Sequence, residues 1–419
     1  MVNSEKGSIG NSLIIVLYFL SILILMMSEN IFFYWLFLLI MIGIGYFGLF
    51  FYLIIQKRIK QYEGKVLVLL FFITFISNIY TRNQTLNGMI LYVSLMGGGL
   101  LLVHTKLNYY VMIASFYFHV MIMSSFVVSR IHPDFFFLSY SRNFISIILL
   151  IQLVLLYISY EQNRRRVSIV PAFLALPISA WAIGRSGILA IFMLFALLLF
   201  YKVRTTQFRI PKDMQKDVVI IGIVSCFIIA IGGLIIPPMY DTTMMEVLGF
   251  TRFAEMGIVD PHRMAIWSEY TYLTGNSIGN IIMGASFRGN EVLQRYGYSL
   301  HNSILNVHAT GGLAKSIVMA LLIILTIKRY IKERSYIYLI LAGILIFRMS
   351  TDSIPYMNPL IYFFLLEGRV EQSEISVGFD DIIQMKSDNI ARMKNVVASK
   401  IQERDFPKLI SGWKRKNDG

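Results

Sequence analysis

Long apolar runs broken by short polar punctuation recur along almost the whole chain. They fall at about 8–27, 31–55, 66–80, 86–103, 109–128, 144–160, 167–183, 187–201, 218–236, 305–327, 336–347 and 354–366. A helix of about 20 residues crosses a hydrocarbon layer of about 30 Å, and within lipid a helix satisfies its own backbone polar groups. The pattern therefore predicts an all-α polytopic membrane protein of about twelve spans. Residues 1–237 would hold nine spans, 238–300 one long loop with short helices, 301–367 three more spans and 368–419 a polar tail.

Within the long loop, the stretch DPHRMAIWSEYTYLTGN predicts a helix capped by Asp260, opened by Pro261 and stopped at Gly275 and Asn276. On it Arg263, Ile266, Trp267 and Tyr270 share one face by three-and-four spacing, a floor suited to a sugar or a prenyl phosphate. In the tail, Ile383, Ile390, Met393, Val397 and Ile401 recur at helical spacing among lysines and arginines. That pattern fits an amphipathic helix on an anionic membrane surface or a docking segment, and equally a solvated regulatory tail.

Composition agrees with a lipid-embedded chain: of 419 residues 56% are hydrophobic and 15% charged, too apolar for one soluble core. The net charge of +14 does not signal nucleic acid, because the cations sit between the apolar runs instead of on one soluble face. Their placement reads as topology. With the N-terminus inside, the basic connections at 56–65, Lys106, 161–166, 201–216 and 328–334 and the tail all become cytoplasmic. Outside there remain nine arginines (82, 130, 142, 185, 252, 263, 288, 295, 348) and one lysine, Lys315. An outside population so biased to arginine suggests the planar fork that binds phosphate oxygens in pairs, although arginine also snorkels well at helix ends. The single cysteine, Cys226, excludes a disulfide framework. The first run has no small-residue cleavage site and reads as a retained helix.

Candidate chemistry gathers where the long loop re-enters the membrane, in YSLHNSILNVHATGG at 298–312. With Ser299 as N-cap, His301 would lie in the first helical turn, where the dipole disfavours protonation and leaves an imidazole able to act as general base toward a sugar hydroxyl. The plainer reading is a histidine bonded to a backbone carbonyl. His308 lies about 10 Å further along a helix, too far to share a metal with His301. No HExxH, cysteine-rich ligand set or DxD pair is present, so no metal and no cofactor are expected. Arg185 in AIGRSGILA sits between two spans with almost no loop, where an arginine is costly unless it meets an anion, and Gly184 and Gly187 would admit a bulky group. Arg252, Arg263, Arg288, Arg295 and Arg348 could join it as an anion trap for a pyrophosphate. No predicted span carries a mid-membrane Asp or Glu, which disfavours an ion-coupled transporter, and there is no P-loop. An enzyme built this way takes its activated donor from the membrane.

At these residues the chain resembles the O-antigen polymerase and O-antigen ligase superfamily. The carrying motifs are GRSG with Arg185, RMAIW with Arg263 and Trp267, and HNSILNVHATGG with His301 and Asn302, in matching order, from about the seventh span to the eleventh. Gly184 stands where that family commonly has Ser or Thr. The resemblance implies a GT-C-like fold in the bacterial inner membrane with its site facing the periplasm. It implies a metal-independent, inverting glycosyl transfer from undecaprenyl pyrophosphate in lipopolysaccharide biosynthesis. His301 would deprotonate the acceptor; Arg185, Arg263, Arg288, Arg348, Asn302, Trp267 and Tyr270 would bind pyrophosphate and glycan. The expected partners are the lipid-linked glycan, membrane lipid and a polysaccharide chain-length regulator. A polymerase is the first expectation; a ligase delivering the glycan to lipid A core and a flippase of the same lipid-linked sugar are the alternatives.

Overall fold

The computed structural model describes residues 9–52, 61–137, 141–182, 184–205, 261–295, 300–352 and 357–367. Every regular element among them is helical: α1 (Ile9–Met27), α2 (Ile31–Phe50), α3 (Gln61–Thr81), α4 (Leu86–Val103), α5 (Tyr109–Val128), α6 (Asn143–Gln162), α7 (Val170–Trp181) and α8 (Arg185–Thr205), with a 3-10 turn at Pro133–Phe135. After the gap come α9 (Pro261–Gly275), α10 (Ile278–Met283), α11 (Glu291–Arg295), α12 (Ser303–Lys332), α13 (Tyr336–Thr351) and α14 (Asn358–Leu366). Among the described residues eight helices, α1 to α6, α8 and α12, are long and apolar enough to cross a membrane, and α7 and α13 are shorter apolar helices. The protein is an all-α, multi-pass membrane protein. The expected span at 218–236, Asp260, Arg252 and the amphipathic stretch of the tail lie outside the described residues.

The spans alternate so that one end of the bundle collects Lys65, Lys106, Arg164 to Arg166, Lys202 and Lys332, while the other carries α9 to α11. These are the basic end and the loop end. α6 is apolar around its whole circumference and sits at the centre, with sixteen of its twenty residues buried. Its one strongly polar buried group, Gln152, accepts a bond from Ser115 Oγ of α5 at 2.9 Å. By contrast, α2 exposes Phe32, Phe33, Trp35, Leu39 and Phe50, the face a span turns to lipid.

Apolar side chains gain little by leaving lipid for one another, so close backbone approach between small residues carries much of the packing. α4 shows this at three consecutive glycines. A Cβ on Gly97 would lie 1.9 Å from the Gly45 carbonyl of α2, one on Gly98 2.8 Å from the Tyr18 ring of α1, and one on Gly99 2.5 Å from Tyr362 Cβ of α14. Gly97→Ala must therefore part α2 from α4. A loss of about 1–3 kcal/mol is expected, the usual cost of overpacking, read as a lower midpoint of thermal denaturation in detergent. Gly43→Ala, with nothing within 4 Å of its Cβ, is the neutral control.

Four helices end at an arginine with left-handed backbone, Arg82 (φ 53°) after α3 among them. Arg130, Arg164 and Arg334 have φ of 54°, 49° and 57°, and the following amides of Ile131, Arg165 and Ser335 reach back to the carbonyls of Phe126, Tyr160 and Tyr330. Glycine usually takes this position. Arginine here fixes a guanidinium at the bundle border, so a helix stop accounts for Arg130 at the loop end without any bound anion.

Candidate functional site

The loop end is organised around the start of α12. Asn302 is its N-cap, with extended backbone and a side-chain oxygen accepting the Ile304 and Leu305 amides at 2.9 and 3.1 Å. The cap expected at Ser299 is thus displaced to Asn302, and His301 stands just before the helix instead of inside its first turn. The physical reason is that asparagine caps as well as serine and here has the extended backbone a cap requires. His301 itself adopts φ 47°, a region few non-glycine residues enter, and one found repeatedly where function constrains the backbone.

Asp352, immediately after α13, ties the site together. Its backbone carbonyl accepts from the Ser303 amide at 3.0 Å and from Ser303 Oγ at 2.8 Å, fastening the end of α13 to the start of α12. One carboxylate oxygen takes Arg348 Nη2 at 3.4 Å and lies 3.8 Å from Arg263 Nη2; the other lies 3.8 Å from His301 Nδ1. Arg348 also donates to Thr351 Oγ1 at 3.2 Å, and Arg263 donates to the Thr351 carbonyl. Side-chain exposure grades these groups: 0% for Arg348, 11% for Asp352, 23% for Arg263 and 39% for His301. Arg348 is enclosed and holds Asp352 in place. Arg263 and His301 are the two that can meet a ligand.

The face of α9 predicted from spacing is turned onto the protein. Ile266 and Tyr270 are buried, the Trp267 indole donates to the Leu300 carbonyl at 2.8 Å, and Arg263 reaches α13. Burial pushes the Tyr270 hydroxyl up to about 12. The hydroxyl stays protonated and donates to His308 Nδ1 at 2.7 Å, leaving His308 Nε2 to donate to the Ile281 carbonyl at 2.9 Å. Both nitrogens of His308 are thereby spent on holding α9 and α10 against α12. Trp267 and Tyr270, expected to contact substrate, here serve as fasteners through these bonds, and Asn302 serves as a cap.

Arg185 opens α8, and its side chain lies outside the described part. The adjoining glycines receive α6: a Cβ on Gly187 would meet Ser146 Oγ at 1.9 Å and one on Gly184 Asn143 Oδ1 at 2.9 Å. Arg288 is exposed and donates from Nε to the Arg82 carbonyl at 3.2 Å. Arg263, Arg348 and His301 are thus brought together and Arg288 stands apart, over the α3–α4 turn. Asp352 was not singled out in the sequence. The signal that could have found it is its spacing of four from Arg348, which on a helix places opposite charges side by side. Among the described residues no three His, Cys, Asp or Glu side chains converge as metal ligands would.

Fold and site together define a polytopic helical membrane protein with a mixed guanidinium, carboxylate and imidazole cluster at one end of the bundle. No protein-family model and no curated protein sequence matches the chain.

Proposed function

We propose that the protein is a glycosyltransferase of the bacterial inner membrane that uses a polyprenyl-pyrophosphate-linked glycan, and specifically an O-antigen polymerase working at the periplasmic face. The observation that carries the reading is the meeting of Arg263, Arg348 and His301 on the single carboxylate of Asp352. An inverting transfer needs a base for the acceptor hydroxyl and a cation for the departing diphosphate. Asp352 beside His301 Nδ1 orients the imidazole so that Nε2 takes the hydroxyl proton as the oxygen attacks the anomeric carbon. Arg263, whose contact with Asp352 is long, exchanges it for diphosphate oxygens as the glycosidic carbon–oxygen bond breaks. Arg348 stays behind as the buried counter-charge. The GT-C-like arrangement, the twelve-span topology, Arg185 and Arg288 as further phosphate ligands, and a chain-length regulator as partner belong to the same reading.

Lipopolysaccharide gels of a deletion strain test it. Loss of the polymerase is expected to leave core capped with one repeat unit, restored to full ladders by the intact gene. Bare core would assign the ligase reaction, and unchanged ladders would remove the enzyme reading.

A further inference from the structure

We propose that residues 278–288 form a re-entrant hairpin, dipping into the lipid layer from the loop end and presenting Ile278, Ile281 and Ile282 to hydrocarbon chains. Contacts along α3 and α12 set this depth, whatever reaction the protein carries out. Descending, Tyr80 near the end of α3 donates to Asn280 Oδ1 at 3.1 Å, and Ser77, one turn deeper, donates its hydroxyl to the Met283 carbonyl. The chain then reverses at Gly284, φ 89°. Ascending, Ser286 Oγ donates to the Thr81 carbonyl at 2.8 Å, Asn83 bonds the Ala285 carbonyl and the Phe287 amide at 2.9 and 2.8 Å, and Arg288 reaches Arg82. Contacts thus run down α3 and back up to the α3–α4 turn. At a helical rise of 1.5 Å per residue, Ser77 lies about 6 Å below the end of α3.

α12 records the same dip from the other side. The Ile281 carbonyl accepts from His308, and a Cβ on Gly312 would lie 1.8 Å from the Ile282 carbonyl. Gly312 is nine residues into α12, about 14 Å below its start along the axis. There the helix breaks, with φ 60° and ψ −159°, and the Ala309 carbonyl accepts from Asn83 Nδ2 at 3.1 Å. Lys315 is buried just below, its ammonium 2.9 Å from Thr310 Oγ1 and 4.6 Å from the centre of the Tyr92 ring. Short non-spanning backbone survives at lipid depth when its carbonyls find partners in the protein, and those of Ile281 and Met283 do. The three isoleucines, Ile278, Ile281 and Ile282, stay 76%, 40% and 47% exposed. They continue the exposed faces of α3 (Phe75, Ile76, Ile79) and α12 (Leu313, Ile317), which as spans already face lipid.

Single cysteines placed in a Cys226→Ser background of the full chain, in native membranes, test this. Ile282→Cys and Ile278→Cys are compared with Gln294→Cys on exposed α11 and Ile317→Cys on α12. A charged, membrane-impermeant maleimide applied at the loop end should label the 282 and 278 positions more slowly than 294 by about tenfold or more, as a thiol moved from water to hydrocarbon loses thiolate. Their rates should follow position 317, and all four should label equally in SDS. Spin labels at 278 and 282 should collide more with oxygen than with a water-soluble nickel chelate. Labelling at the rate of position 294, with the chelate as the better collider, would overturn the proposal.

Discussion

Replacing His301 with asparagine is expected to lower glycan transfer between lipid-linked substrates by about 10²–10⁴-fold, the usual contribution of a positioned general base, while leaving the protein folded. Asparagine is the informative choice because it tolerates the left-handed backbone of φ 47° better than most residues. His301→Gly separates the two consequences further. Removing the Cβ relieves backbone strain of about 1–3 kcal/mol, so this variant should denature no earlier than the parent, yet transfer no better than the asparagine variant. Transfer is read with a defined lipid-linked repeat unit in reconstituted vesicles, and stability by thermal denaturation in detergent. Normal elongation by either variant would end the proposed role of His301.

Hydropathy alone marks most spans because lipid demands it: the runs at 86–103 and 109–128 coincide with α4 and α5. It reads helix ends less well where a helix continues into water. α12 runs on to Lys332 and α3 begins at Gln61, since the basic residues that stop an apolar run do not stop a helix. The helix at Pro261–Gly275 was legible from the opening proline and the closing glycine, and so was the shared face of Arg263, Ile266, Trp267 and Tyr270. What that face meets was not legible. Tyr270 meets His308 across 38 positions, and the Arg263 partners Thr351 and Asp352 lie almost 90 positions away. Spacing along one helix reports which side chains are neighbours on it, but not which helix arrives opposite. For the same reason a segment read as loop could not be seen to pass beside Ser77 and Gly312, because its depth is set by long-range carbonyl partners.

Asp352→Ala should be the most destabilising single change at the loop end. Arg348 is wholly enclosed, and among the described residues its Nε has no partner, so losing the carboxylate strands a buried cation. Breaking such a pair from one side costs about 3–5 kcal/mol, whereas replacing both members with apolar side chains of similar size is often neutral. The Ser303 bonds run to the Asp352 backbone and survive the substitution, so the loss is electrostatic. The double variant Arg348→Met, Asp352→Leu is accordingly expected to regain most of the thermal stability lost by Asp352→Ala. It should not regain transfer, because the carboxylate that faces His301 and Arg263 is still missing. A double variant that recovered both would make Asp352 a purely architectural partner of Arg348. A single Asp352→Ala variant as stable as the parent would show that the enclosed guanidinium does not depend on it.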